Sequence, residues 1–438
     1  YMTDGTTNIK AKTAAGAGDQ NINFSAATTF KTVDDSLIFG TAAIDLANGA
    51  NLTINTGSGA ITLTDIHGDS AETVSITSTG TVSVQEIGLS AEIAVVGIAG
   101  STITLNDNIT TDNDGNVTLT GPVALATGNI TIDTSAASNG TDGGNVILTS
   151  TVEDDGSNRN LLIRTRAGTV DIRGLIGGTD AIGTLTINDQ ATDTGNITLT
   201  GIGDDTGIGA TTVAIGNAKT AGTITLAGDD YNTGAATYRA GAFSITGTAP
   251  RFQASNLAIL FKTDDGGANG DVTLADAADL TVGTGNAAIT FEGDILGTSG
   301  GVATDVNLST TGTLTVKSIG ANGSTADDNI NDVTLTGGTV SLSGTISTAV
   351  LGGSGDKAAT DLGVVDINGA VALAGATTID TSASGNNAAI DFNSTIDNGQ
   401  ALVLKSGTGA IGVTGKIGAG TALSALTINA STGDSSSG

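Results

Sequence analysis

The chain has no cysteine and no tryptophan, two prolines in 438 residues, one histidine and only 15 basic residues. Without cysteine, no disulfide staples the fold and no thiol chemistry is available; among exported bacterial proteins that absence is common, which leans towards export. One histidine cannot build a His-based metal site, and no histidine–serine or histidine–cysteine nucleophile pair suggests itself. No Walker-type loop occurs. Few cations and a formal charge of −29 argue against nucleic-acid binding, which needs basic surface to neutralise phosphate. No run of 18 apolar residues is present, so no helical membrane insertion is expected. Sparse aromatics (3%) with scarce proline also weaken the case for immunoglobulin-like sandwiches, which bury Trp or Tyr and use proline at edges.

What the chain does contain is glycine (66 residues), aliphatics and hydroxyls, with a hydrophobic content of 38% and a mean hydropathy of +0.17. That is too apolar for a disordered chain. Of its 44 acids only five are Glu (Glu72, Glu86, Glu92, Glu153 and Glu292), the rest Asp. Asp favours turns and caps, so the acidity belongs to turns.

The sequence repeats itself. A phrase of the type Gly-Asn-[Ile/Val]-Thr-Leu-Thr-Gly stands at Gly115–Gly121 and Gly195–Gly201, with variants at Gly128–Thr134, Gly144–Ser150, Gly222–Gly228 and Asn331–Gly337. Short apolar/Thr segments recur through Leu52–Ile428. Their period of two puts Ile, Leu and Val on one face and Thr or Ser on the other. No convincing helix appears; the best candidate, Leu89–Val96, is short.

A longer period overlies the short one. Leu52, Leu161, Leu280 and Leu402 open the same phrase (LTINTGSGAITL, LLIRTRAGTVDI, LTVGTGNAAITF, LVLKSGTGAIGV), and GPVALATGNITIDTS at Gly121–Ser135 returns as GAVALAGATTIDTS at Gly369–Ser382. The expected organisation is a partial first repeat over 1–51, modules over 52–160, 161–279 and 280–401, and a truncated module over 402–438. The chain starts without an initiator Met and stops inside a copy, as a piece of a longer array would.

Strands of three to five residues bury too little alone. Stacked in parallel they pair every ladder and form continuous apolar columns. The expected fold class is all-β, a parallel β-helix (β-solenoid); the alternative is tandem β-sandwich repeats. At about 20–25 residues per rung, roughly 18–22 rungs are expected.

These phrases resemble the repeat regions of giant bacterial exoproteins, the filamentous-haemagglutinin-like and related repeat-rich surface adhesins. The resemblance implies a right-handed parallel β-helix exported to the cell surface. It points to a non-catalytic extracellular structural or adhesive protein that self-associates head to tail or laterally and engages surface glycans. The alternatives are a polysaccharide-acting β-helix enzyme and a Thr-array ice-binding protein.

Three sets of residues are candidate sites. Paired acids at Asp112/Asp114 and Asp264/Asp265 could supply oxygens to Ca²⁺; the plain alternative is solvated turn acids, with no cofactor. Arg164, Arg166 and Arg173, with Arg159 close by, could form a docking patch for an acidic neighbour or glycan; otherwise they are a solvated ion pair. His67, aligned at the opening Leu opposite Ile176, Ile295 and Ile417, points to a local register change or to exposure. The Asn-x-Ser/Thr sequons, among them Asn116, Asn129, Asn196 and Asn307, follow from the strand phrase itself.

Overall fold

The computed structural model describes residues 5–9, 21–69, 71–88, 93–135, 143–218, 222–263, 270–298, 304–320, 330–348, 363–382 and 387–429. Asp264 and Asp265 lie outside the described residues. Among the described residues there is no helix, and every paired strand is parallel to its neighbour. The chain divides into two compact units, Tyr1–Gly222 and Thr223–Gly438. The boundary falls inside the expected 161–279 module. Each unit is a three-faced β-solenoid.

In the first unit the chain visits three faces in turn, here called A, B and C. Face A stacks Thr28–Lys31, Leu52–Asn55, Glu72–Thr77, Ile93–Ala99, the second half of Ile109–Thr120, Val146–Leu148, Val170–Ile172 and Ile197–Leu199. Face B runs through Leu37–Phe39, Ile61–Thr62, Thr81–Val84, Thr102–Leu105, Val123–Leu125 and Val152–Glu153, then through single bridges at Ile176 and Ile202. Face C includes Ile44–Leu46, Ile66–His67, single bridges at Ile87 and Ile109, then Ile130–Asp133, Leu161–Arg164, Ile182–Ile187 and Ala210–Ile215.

The second unit has the same plan, with faces D, E and F. Face D includes Ala242–Ile245, Asp271–Leu274, Ala401–Lys405 and Ala425–Ile428. Face E includes Arg251–Ala254, Leu280–Gly283, Thr304–Ser309, Ile390–Phe392 and Ile411–Val413. Face F includes Ile259–Lys262, the first half of Ile289–Leu296 and Ile396–Asp397. Long strands such as Ile330–Ser347 and Val365–Asp380 turn corners and serve all three faces, with register shifts at the corners.

The period-two pattern is the reason for this stacking. On face A, Leu52, Val74, Val96, Val117, Val146, Val170 and Ile197 are in register and all buried. Each buried aliphatic contributes roughly 1.5–3 kcal/mol. An isolated rung would not cover its ordering cost, but stacked rungs share both sides of every side chain. The tandem-sandwich alternative is excluded, because sandwiches pair antiparallel strands and these ladders are parallel. The few aromatics are concentrated inside: Tyr231 stacks on Phe252 (4.6 Å), Tyr238 on Phe261 (5.1 Å) and Phe261 on Phe291 (4.7 Å).

Two sequence expectations need revision. Rungs are fewer than the 18–22 expected, with eight strands on face A and eight on face E. Corners absorb extra residues, so contacts between successive rungs span 21 residues in one place and 32 in another. The candidate helix within Leu89–Val96 is instead a strand where it is described, Ile93–Ala99.

The repeated phrase also does not return to the same face. Leu52 is on face A and Leu161 on face C, fourteen strand positions later. Leu280 is on face E and Leu402 on face D, again fourteen positions later. Fourteen positions on a three-faced coil make four turns and two faces. Within each of these two pairs the later copy is therefore turned by one face relative to the earlier one.

Candidate functional site

The phrase Gly-Asn-[Ile/Val]-Thr-Leu-Thr-Gly owes its Asn to contacts between rungs. The Asn116 side-chain oxygen accepts the backbone N–H of Asn145 in the next rung (2.8 Å), and that of Asn145 accepts Thr169 N–H (2.8 Å). A second ladder runs from Asn129 to Asn160 (3.0 Å) and from Asn160 to Thr184 (2.7 Å). Asp takes over in the second unit: Asp279 accepts Asp305 N–H, Asp305 accepts Asp332 N–H, and Asp332 accepts Val364 N–H. Asn129, Asn145, Asn160 and Asp279 stand just before a strand, and Asn116, Asp305 and Asp332 lie at register shifts within longer ones, so each acts where the regular ladder is interrupted.

The four long phrases share a second device. An inward hydroxyl follows the first strand and donates to a carbonyl three residues on: Thr56 to Gly59, Thr165 to Gly168, Thr284 to Ala287 and Ser406 to Gly409, at 2.5–2.7 Å. The next residue is left-handed in each case: Gly57 (φ 62°), Arg166 (48°), Gly285 (66°) and Gly407 (59°). Asn188 and Asn429, which end the Leu-Thr-Ile-Asn phrases of the following rung, accept from Thr165 N–H (2.9 Å) and Ser406 N–H (2.8 Å). The shared first Gly of the second repeated block has its own cause. Gly121 (φ 130°) and Gly369 (φ 148°) pass so close to the previous rung that a Cβ would meet Gly100 O at 2.0 Å and Gly337 O at 1.9 Å.

The expected site residues sit within this framework. Asp112 and Asp114 lie at a corner within strand Ile109–Thr120, where Asp114 N–H donates to Asp112 Oδ1 (3.3 Å). Among the described residues no group of three or more His, Cys, Asp or Glu is placed to hold a metal ion. Other acidic pairs close turns. Asp204 accepts from the Thr206 hydroxyl (2.7 Å), Thr206 N–H (2.7 Å) and Gly207 N–H (2.9 Å), which lowers its pKa below the ordinary value. Asp397 does the same with Thr421 and Gly420 N–H, both at 2.6 Å.

The arginines are matched by carboxylates. Arg164 makes a two-pronged contact with Asp189 (Nε–Oδ1 2.7 Å, Nη2–Oδ2 3.1 Å), which holds the Asp189 carboxyl below its ordinary pKa. Arg173, just past strand Val170–Ile172, pairs with Asp171 (2.7 Å), and Arg159 with buried Asp154 (3.0 Å) and with Asp155. Arg166 occupies the left-handed corner position that is glycine in the other three copies. Arg164 and Arg173 thus lie on different faces of the coil, C and A.

His67 is explained by a one-residue shortening of its corner. Ile66, not His67, stands in the inward column and bridges Ile87, as Ile176 bridges Ile202 and Ile417 bridges Ile396. His67 is turned outward, half-buried, with Nδ1 3.3 Å from Asp45. Near it, burial and the charges of Asp107 and Asp65 raise the pKa of Glu86, against a smaller lowering effect from His67. A surface depression of about 280 Å³ beside this pair is lined by Asn23, Phe24, Asp45, Leu46 and Asp69.

Comparison with protein-family models, with curated proteins and with solved structures finds no match. The clamping roles of Asn and Thr were missed in the sequence reading. Their signal is an Asn directly before a strand, recurring at rung spacing.

Proposed function

We propose that this chain is a non-catalytic structural segment of an extracellular surface protein, an adhesin, fibre or sheath whose copies meet end to end. The carrying observation is where its polar groups are spent. Asn116, Asn145, Asn160, Asp305 and Asp332 each hold the next rung's backbone, and Arg159, Arg164 and Arg173 hold carboxylates. Such a chain works through its length and surface. The acidic exterior suits a protein in salt-containing surroundings that screen it. Surface glycans are the proposed adhesive targets, and Ca²⁺ at acidic turns such as Asp112/Asp114 a proposed auxiliary. Immunogold labelling of intact source cells tests the reading: label on unpermeabilised cells supports it, and label only after permeabilisation contradicts it.

A second reading has one specific observation in its favour. On face B, Thr81 is in register with Thr102 and Ser83 with Thr104, an outward hydroxyl array of the ice-binding kind. The next rung replaces Thr104 with Ala124, which breaks the array. Thermal hysteresis of the purified chain would establish this reading, and its absence would remove it.

A further inference from the structure

The charge of this protein is not spread evenly around the first unit. From Asn51 to Glu153 the chain makes five consecutive passes along face A, around the A–B corner and along face B. The first four, residues 51–64, 73–85, 93–106 and 115–125, contain no Asp, Glu, Lys, Arg or His, and the fifth, 143–153, contains one, Glu153 on face B. Among the described residues between Asn51 and Val152, every charged side chain but one, and His67, belongs to face C or its two corners: Asp65, Glu86 and Asp107 at one corner, His67 and Asp133 on the face, and Asp69, Asp112 and Asp114 at the other; the exception, Glu72, heads a face A strand and is fully buried. With 13% charged residues overall, uncharged passes of this length on four successive rungs are not a by-product of composition. Loop chemistry does not demand it either, since the B–C and C–A corners of the same rungs are acidic.

The outward positions of this side are small and hydroxyl-bearing. Thr53, Ser75 and Thr118 line face A, and Thr62, Ser83 and Thr104 line face B, each near its register partners. Val95 adds an exposed aliphatic side chain on face A.

We propose that this uncharged side is a lateral contact surface for a second copy of the same chain. The proposal goes beyond the structural role above and does not depend on where in the organism the chain acts. Two copies carrying −29 each repel one another, and burying unpaired carboxylates between them is costly. A contact that sets uncharged side against uncharged side keeps the acids of both copies on the far, solvated face. Hydroxyls both donate and accept hydrogen bonds, so this surface is complementary to itself, as a two-fold contact requires. Other partner classes lack a handle here. Nucleic acid needs cations, sugar rings use aromatic platforms, and a basic protein would be drawn to face C.

The test is sedimentation equilibrium of the full chain at about 0.15 M and about 1 M NaCl, a range over which charge repulsion becomes strongly screened. Wild type is compared with Thr53→Asp/Thr104→Asp and with a face C control, Thr131→Asp/Thr186→Asp, each checked for folding by circular dichroism. The expected result is concentration-dependent association of wild type and control that strengthens with salt, weakened at least about tenfold in the face A/B variant. A wild type that stays monomeric at both salts, or a face A/B variant that associates as tightly as wild type, overturns the proposal. A second measurement needs no variant. Hydrogen exchange of wild type, dilute against concentrated, should show added protection in peptides covering 73–85 and 93–106. Unchanged exchange there overturns the proposal equally.

Discussion

At the residue scale, the most constrained positions are those where one rung's corner meets the backbone of the rung before it. Gly121 is the sharpest case: its φ of 130° and the 2.0 Å approach of a would-be Cβ to Gly100 O leave room only for hydrogen. Gly121→Ala should cost about 1–3 kcal/mol from overpacking, with backbone strain adding to it. Gly97, with no atom within 4 Å of its would-be Cβ, is the matched control. Gly97→Ala should be neutral or raise stability by up to about 1 kcal/mol, because alanine lowers the entropy of the unfolded chain. Urea denaturation of the two variants beside wild type separates these outcomes. Thr165 is fully buried and donates to Gly168 O, so Thr165→Val should cost about 1–3 kcal/mol by orphaning a buried carbonyl. Glycine was visible in the sequence as a turn marker, but which glycines touch a neighbouring rung was not, since that depends on a residue some twenty positions away.

At the scale of the strand and its corner, the Asn ladder joins rungs that the β-ladder alone leaves open at the bend. Asn145→Ala removes the acceptor of both Thr169 N–H (2.8 Å) and Thr169 Oγ1 (2.9 Å). A loss of about 0.5–1.5 kcal/mol is expected, with faster exchange of the Thr169 amide as the local readout. The acids act with either sign. Glu86 has its pKa raised by burial and by Asp107 and Asp65. A carboxyl that binds its proton more tightly when folded opposes folding once pH exceeds its unfolded value, near 4.3. Glu86→Gln should therefore stabilise the protein at pH 7, by less than about 1 kcal/mol at this half-exposed site, and should not do so below about pH 4. Asp189, held down by Arg164, behaves oppositely. Its contribution is present above the unfolded value and is lost as pH falls through the lower folded one. Thermal melts of Glu86→Gln and of Arg164→Ala across pH 3–8 would check both signs.

Much of the strand content was legible, because alternation of Ile, Leu or Val with Thr leaves only one buried face. Leu52, Ile54, Val74 and Ile76 are inward as that alternation requires. The allocation of strands to faces was not legible. Ile87, Ile176 and Ile202 reduce a whole face to a single bridge, too short for a strand pattern, so a face cannot be counted from sequence. That is why the copies opening at Leu52 and Leu161 looked equivalent although they lie on faces A and C. The same gap placed His67 against Ile176, when the inward residue is Ile66. The arginine cluster was legible as a cluster, but the partners of Arg164 and Arg159 lie at Asp189 and Asp154, which sequence proximity does not rank.

At the scale of the whole molecule, each unit's interior is an aliphatic column interrupted by few rings. Tyr231 and Tyr238 are buried beside Phe252 and Phe261, and burial raises both phenols above the ordinary value of 10.0. A phenol kept neutral in the fold contributes stability that is intact below pH 10 and is lost as pH rises beyond it, where the unfolded chain ionises first. Alkaline titration followed at the tyrosinate absorbance should show these two phenols ionising only with unfolding.

The fold rests on parallel rungs in one register, and the absence of native cysteine makes that register directly measurable. Thr53 and Ser75 are partners on adjacent rungs of face A, and strands so paired lie about 4.8 Å apart, within the Cα range a disulfide accepts. Thr53→Cys/Ser75→Cys should form an intramolecular disulfide in high yield on mild oxidation, read by mass spectrometry after proteolysis. Thr53→Cys/Ser83→Cys, which places the second thiol on face B, should not. A disulfide in the second variant without one in the first would contradict the three-faced parallel solenoid.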